Sequence, residues 1–143
     1  MKRTIDWAKR SRLKKKKNEQ LLFGIIQGSI FKELRHQCIE ELGMLDFPGF
    51  AIGGLSIGEG PELMYNTLAM IMEKTPKNKP IYLMGVGTPK DILTAVELGV
   101  DMFDCILPTK TGRNGWVFTS KGILKLRNAR YKDEDVPLDD ACD

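Results

Sequence analysis

The feature that most narrows the folds open to this chain is a rhythm. Four short apolar runs follow one another, each closed by a glycine- or proline-marked turn, and three of them are followed by a stretch with apolar residues spaced for a helix. Leu21 to Gln27 is the first run, broken by Gly24 and closed by Gln27-Gly28. Phe50-Ala-Ile-Gly-Gly54 is the second, Ile81-Tyr-Leu-Met84 the third, and the run from Val100 to Leu107, stopped at Pro108, the fourth. Each is of strand length; the first, mostly apolar and too short for a helix, is expected as a buried strand, and the other three as short strands, the fourth interrupted by Asp101 and Asp104. Strands alternating with helices through short connections are the mark of a parallel sheet.

The intervening stretches carry the helical period. Phe31, Leu34, Cys38, Ile39 and Leu42 recur at spacings of three and four after Ser29, a candidate cap, and Gly43 closes that helix. Pro61 opens a helix with Met64, Leu68, Ile71 and Met72 on one face. Thr88-Pro-Lys-Asp91 has capping-box spacing ahead of Ile92, Leu93, Val96 and Leu98. Before the first strand, Thr4 to Gln20 is expected as a basic helix with a thin apolar side of Ile5, Trp7, Ala8 and Leu13. After the fourth strand the pattern changes: Trp116 to Thr119 and Ile123 to Leu126 form a predicted β-hairpin, and residues 128–143 are polar and irregular. The fold class is therefore α/β. Four parallel strands in this rhythm correspond to half of a (β/α)8 barrel, which takes about 250 residues when complete.

Composition limits the function classes. With 143 residues, 42% hydrophobic and 29% charged, disorder is not the default. Net charge is +3, but nine of the first seventeen residues are Lys or Arg against Asp6 alone, which points to an anionic partner such as a nucleic acid, the other reading being a solvated helix face or a frayed tail. The apolar runs are too short to span a bilayer and no apolar segment follows the lysine-rich start, so no membrane partner and a cytoplasmic location are expected. Cys38, Cys105 and Cys142 are odd in number and far apart, as reduced thiols are.

The chemistry concentrates where the parallel strands end. A carboxylate inside a buried strand costs several kcal/mol, roughly, unless paired or wet, which places Asp104 at a solvent-facing mouth; the other reading is that it caps an amide of the following loop. The same mouth gathers Gln27, Gly54, Leu55, Met84 and Gly85. Gln27 both donates and accepts, the glycines admit a planar ring to the backbone, and Leu55 and Met84 are expected to sandwich it.

Taken together and in order, Phe23-Gly-Ile-Ile-Gln-Gly28, Ala51-Ile-Gly-Gly-Leu-Ser-Ile-Gly-Glu59, Tyr82-Leu-Met-Gly-Val-Gly87 and Asp101-Met-Phe-Asp-Cys-Ile-Leu-Pro-Thr109 closely resemble the bacterial tRNA-guanine transglycosylases. The resemblance runs the length of the chain. It implies a zinc-carrying (β/α)8 barrel that exchanges the wobble guanine in a tRNA anticodon loop for preQ1, a queuosine precursor. On it, Asp104 is the nucleophile that attacks the ribose C1′. Gln27, Gly54, Leu55, Met84 and Gly85 hold the flipped base, and Glu59 adjusts the Leu55 peptide. Lys110 and Arg113 grip RNA phosphates, Lys110 standing where the family has arginine. Ile57 stands where enzymes that accept the bulkier queuine resemble glycine, which implies preQ1 and a bacterial source.

Two features of that family are missing from these residues. Its general-base and base-recognising aspartates would precede residue 1, and of its three zinc cysteines and one histidine only Cys142 is present. His36 is expected at the surface, outside any metal site. The resemblance thus implies residues 1–20 as a basic helix, 21–114 as half of the barrel, and 115–143 as a hairpin leading into a truncated zinc subdomain. Zinc is not expected at stoichiometric occupancy, and a complementary half-barrel chain or a second copy is the expected protein partner. Two other readings compete: a non-catalytic tRNA-binding subunit, and a small phosphate-binding protein built on Gly85-Val-Gly87. That turn lacks the lysine of a phosphate-binding loop.

Overall fold

The computed structural model describes residues 1–16 and 19–141; Lys17, of the basic run, and Cys142 lie outside the described residues. Two compact units form, Met1–Cys105 and Ile106–Asp143. The first is an α/β unit with α1 (Lys2–Lys14), β1 (Gly24–Ile26), α2 (Lys32–Gly43), β2 (Phe50–Ile52), α3 (Pro61–Lys74), β3 (Ile81–Leu83), α4 (Pro89–Glu97) and β4 (Met102–Phe103). The strands form one sheet in the order β1-β2-β3-β4, every pair parallel, with Gly24 opposite Phe50, Phe50 opposite Ile81, and Tyr82 opposite Met102.

The core lies between sheet and helices. Ile26, Ile52 and Leu83 from three successive strands are fully buried against Cys38, Leu42, Leu68 and Ile71 of α2 and α3. Each fully buried aliphatic of this kind contributes about 1.5–3 kcal/mol, so the three-residue strands are held by packing more than by their few ladder bonds. Close packing also explains two glycines: a Cβ on Gly24 would lie 2.7 Å from the Phe47 ring, and one on Gly49 2.6 Å from the Phe23 ring.

Helix starts follow the sequence signals in part. Pro61 begins α3, and the Thr88 hydroxyl accepts from the Asp91 amide at 3.2 Å to cap α4. The acidic half of that capping box is used elsewhere, because Asp91 Oδ1 accepts from the Tyr65 hydroxyl at 2.6 Å. Ser29 does not cap α2. It adopts a left-handed φ of 51°, Phe31 is the cap residue, and the Ser29 carbonyl accepts from Arg35 Nε at 2.7 Å instead.

Other expectations are corrected. The basic helix ends at Lys14, and of its apolar side only Ile5 is buried and Ala8 partly packed, while Trp7 and Leu13 stand in solvent. On α4, Leu93 and Val96 are likewise exposed and Ala95 is the buried residue. The fourth strand is two residues long. Pro108 does not stop it but sits in the first turn of a further helix, α5 (Leu107–Arg113), where its missing amide proton costs nothing.

The second unit contains α5, the antiparallel hairpin β5 (Trp116–Thr119) and β6 (Gly122–Lys125), and a 3-10 turn at Ala129–Tyr131. The expected hairpin forms, but its second strand is Gly122–Lys125 rather than Ile123–Leu126, because Gly122 pairs with Thr119 across the two-residue turn Ser120-Lys121. Asp139 holds that turn, accepting from the Ser120 amide at 2.5 Å and its hydroxyl at 2.7 Å.

Candidate functional site

Because all four strands run the same way, the residues that follow them emerge on one edge of the sheet: Gln27 after β1, Gly53-Gly54 after β2, Met84-Gly85 after β3 and Asp104 after β4. Two clusters of contacts tie them together, one over β1 and β2 and the other over β3 and β4.

In the first, the Gln27 side chain lies across the Gly53-Gly54 backbone. A Cβ on Gly53 would fall 2.8 Å from Gln27 Nε2 and one on Gly54 2.8 Å from Gln27 Oε1, so any larger residue at either position displaces the amide. Gly54 also has φ +67°, which an L side chain resists. Beneath them is a residue the sequence reading missed. Arg35, fully buried on α2, donates to the carbonyls of Ile26 and Gly53 at 2.8 Å each and of Gly54 at 3.3 Å. Its guanidinium thus joins the C-terminal ends of β1 and β2 and sets the backbone on which Gln27 rests. Burial lowers its pKa to about 10, so it stays protonated at neutral pH. An arginine amid a helical apolar face was the available signal.

Cys38 supports the same corner. Its sulfur accepts from the Gln27 amide at 3.3 Å and donates to the Ile25 carbonyl at 3.8 Å, and burial pushes its thiol pKa up. Leu55 is 4% exposed and belongs to the core, so it does not form one face of a sandwich. What position 55 offers at the mouth is backbone. Glu59 acts on that backbone: Oε1 accepts from the Ser56 amide, the N–H of the Leu55–Ser56 peptide, and Oε2 from the Ile57 amide at 2.9 Å. Partial burial raises the Glu59 pKa, but the backbone amides of residues 56–59 outweigh it and leave the carboxyl below its ordinary value. Ile57 projects from this loop, 79% exposed.

In the second cluster, Asp104 is exposed, and Oδ1 accepts from the Tyr82 hydroxyl at 2.6 Å and the Gly85 amide at 2.8 Å. Tyr82 and then Gly85 hold the carboxyl below its ordinary value, while the carboxylate raises the pKa of the Tyr82 phenol. The half-buried Met84 beside them donates its amide to the Ile52 carbonyl at 3.1 Å, fixing the turn, and Gly85 has φ +74°. Asp101 does different work. Its Oδ2 accepts from the Ile81 amide at 2.8 Å and its own amide donates to the Ile81 carbonyl at 2.9 Å, clipping the start of β4 to β3.

Lys110 and Arg113 are exposed on α5 in the second unit, and the Arg113 carbonyl accepts from Arg127 Nη2 at 3.0 Å. His36 is half-buried rather than at the surface, with a buried Nε2 that makes no hydrogen bond. Among the described residues no three His, Cys, Asp or Glu side chains gather as metal ligands, so the described residues do not fit a tetrahedral zinc.

An α/β unit with polar groups collected at the carboxyl ends of its parallel strands has the architecture of α/β enzymes, whose ligands bind at that edge. Comparison with known proteins makes the class specific. The model of the queuine tRNA-ribosyltransferase family matches residues 1–143, and the chain belongs to that family. It is 53% identical over its whole length to a queuine tRNA-ribosyltransferase of Caldanaerobacter subterraneus subsp. tengcongensis, and 54% identical over 97% of its length to one of Lawsonia intracellularis. A third, from a Thermoanaerobacter species, is 52% identical over the whole chain. The chain spans about 38% of the length of each of these relatives. Among the described residues no helix is long and apolar enough to cross a membrane.

Proposed function

We propose that this chain is the base-exchange segment of a tRNA-guanine transglycosylase that replaces wobble guanine by preQ1. The observation that carries the reading is Asp104: an ionised, exposed carboxylate directly after a parallel strand, with one oxygen fixed by two donors. A carboxylate held this way suits double displacement. It attacks the ribose C1′ as guanine departs and forms an ester. As a competent leaving group it is then expelled by the incoming base, so two inversions restore the anomer. The anticodon loop suits the site because an unpaired nucleotide is inexpensive to turn out of its stack.

The remaining roles follow in the same reading. Gln27, Gly54, Met84, Gly85 and the backbone of Leu55 receive the flipped base. Glu59, by accepting from the Leu55–Ser56 peptide N–H, turns the opposite face of that peptide, its carbonyl, toward the mouth. Lys110 and Arg113 serve RNA phosphates. Ile57 narrows the loop and favours preQ1 over queuine, the base in the relatives' names. Residues 1–20 act as a basic segment whose helix is Lys2–Lys14, 21–114 as half of a (β/α)8 barrel, and 115–143, with Cys142, as the approach to a zinc subdomain. Zinc is not held stoichiometrically, and no step of the chemistry passes through it. A complementary half-barrel chain or a second copy completes the barrel, in the cytoplasm.

The test places the 143 residues in the full length of the Caldanaerobacter relative, in exchange for the matching segment, and supplies a tRNA anticodon stem-loop with a U-G-U target. Guanine exchange with a denaturant-resistant RNA-protein adduct is expected. RNA binding with neither would favour the non-catalytic tRNA-binding reading.

A further inference from the structure

Tyr82 is the one polar side chain in β3, and it points its hydroxyl at the carboxylate proposed as nucleophile. Both the phenol and the Gly85 amide end on Oδ1 of Asp104, at 2.6 and 2.8 Å, so Oδ2 is the oxygen that neither donor occupies. Nothing in the sequence singles Tyr82 out, because a tyrosine in a short apolar strand is ordinary core or rim material. Its partner and the convergence on one oxygen give it a task.

We infer that Tyr82 is a positioning residue for Asp104: it turns Oδ2 toward the ribose and, with the Gly85 amide, receives the negative charge that returns to Oδ1 when the ester breaks. The inference rests on the ribosyl-transfer reading above. In ester formation a lone pair of Oδ2 makes the bond to C1′ while the C1′–N9 bond breaks. Its electron pair leaves with the purine, which takes a proton from water. In ester breakdown a ring nitrogen of the incoming purine bonds C1′ and gives its proton to water. The C1′–Oδ2 pair returns to the carboxylate and spreads over both oxygens. A carboxylate accepts a stronger hydrogen bond than an ester carbonyl does. The two donors therefore favour the free carboxylate over the ester, and they help the second displacement more than the first. The lowered Asp104 pKa and raised Tyr82 pKa agree with that preference.

The consequence is an effect on adduct that loss of folding would not produce. In the Caldanaerobacter chimera, Tyr82→Phe is expected to slow exchange by about 10–100-fold, below the usual cost of deleting a donor in an enclosed oxyanion site because Asp104 is exposed. The fraction of protein trapped as denaturant-resistant RNA adduct is expected to rise at the same time. Incorporating 3-fluorotyrosine at position 82, which keeps the ring and strengthens the donor, should lower that fraction at neutral pH. In the 143-residue chain itself, carbon-detected titration of the Asp104 carboxyl should move upward in Tyr82→Phe. An unchanged titration, or exchange and adduct falling in parallel, would overturn the inference. A wild-type chimera with no exchange and no adduct would overturn the ribosyl-transfer reading instead, and the titration would still decide whether Tyr82 holds Asp104.

Discussion

Among single residues, Asp104 and Asp101 stand three apart and do unrelated work. Asp104→Asn should abolish the RNA-protein adduct in the chimera while leaving RNA affinity within about twofold, since phosphate contacts supply most of that affinity; denaturing and native gel shifts measure the two. Asp101→Ala removes the acceptor for the Ile81 amide and should cost about 1 kcal/mol of stability. An adduct that persists without Asp104 and vanishes without Asp101 would reverse the assignment. Arg35 sets the larger stake. Arg35→Met takes the guanidinium donors from the carbonyls of Ser29, Gly53 and Gly54, and leaves Ile26 with the Gly53 amide alone; it should cost about 3–5 kcal/mol, read by urea melts. Glu59 supplies a pH test. Its folded pKa lies below the ordinary 4.5, so its contribution is fully present above about pH 5 and is lost as pH falls through the folded value. The melting temperature of Glu59→Gln should accordingly fall below wild type at pH 7 and converge with it as pH falls through the folded value.

At the scale of elements, β1 and β4 are the two edges of the sheet, and among the described residues no further strand pairs with either. Ile25 on β1 is 39% exposed and Met102 on β4 46% exposed, and a groove of about 560 Å³ runs beside β1, lined by Trp7, Phe23, Ile25 and Phe47 among others. Open apolar edges recruit further strands. The isolated chain should self-associate in sedimentation experiments, and Ile25→Lys should reduce that association. A well-behaved monomer with a sharp melt would tell against the half-barrel reading. The helix α1 is exposed along most of its length, with Lys2, Arg3, Lys9, Arg10 and Lys14 in solvent.

For the whole molecule, the identity to relatives and the span of about 38% of their length belong together. On the proposed reading, a segment that carries Asp104 and part of a base pocket needs the remaining length that such relatives have. Metal analysis of the pure chain should give well under one zinc per molecule, because Cys142 alone cannot build a tetrahedral site. Stoichiometric zinc in a monomer would mean that further ligands exist.

The sequence by itself determined the alternation of strand and helix, the parallel sheet, the hairpin and the edge on which Gln27, Gly54, Gly85 and Asp104 collect. These follow from local periodicity and from the rule that parallel strands end together. It also carried the family, through four spaced motifs whose residues are adjacent in the chain. Tertiary structure alone decided the rest. That Asp91 turns to Tyr65, 26 positions away, that Ser29 gives its carbonyl to Arg35 in place of capping, and that Leu55 lies in the core are outcomes of packing that local sequence pattern does not specify. Arg35 and Tyr82 were invisible for the same reason. A buried guanidinium is tolerable only where several carbonyls converge, and a phenol is functional only where a carboxylate meets it, and neither convergence exists until the strands lie side by side.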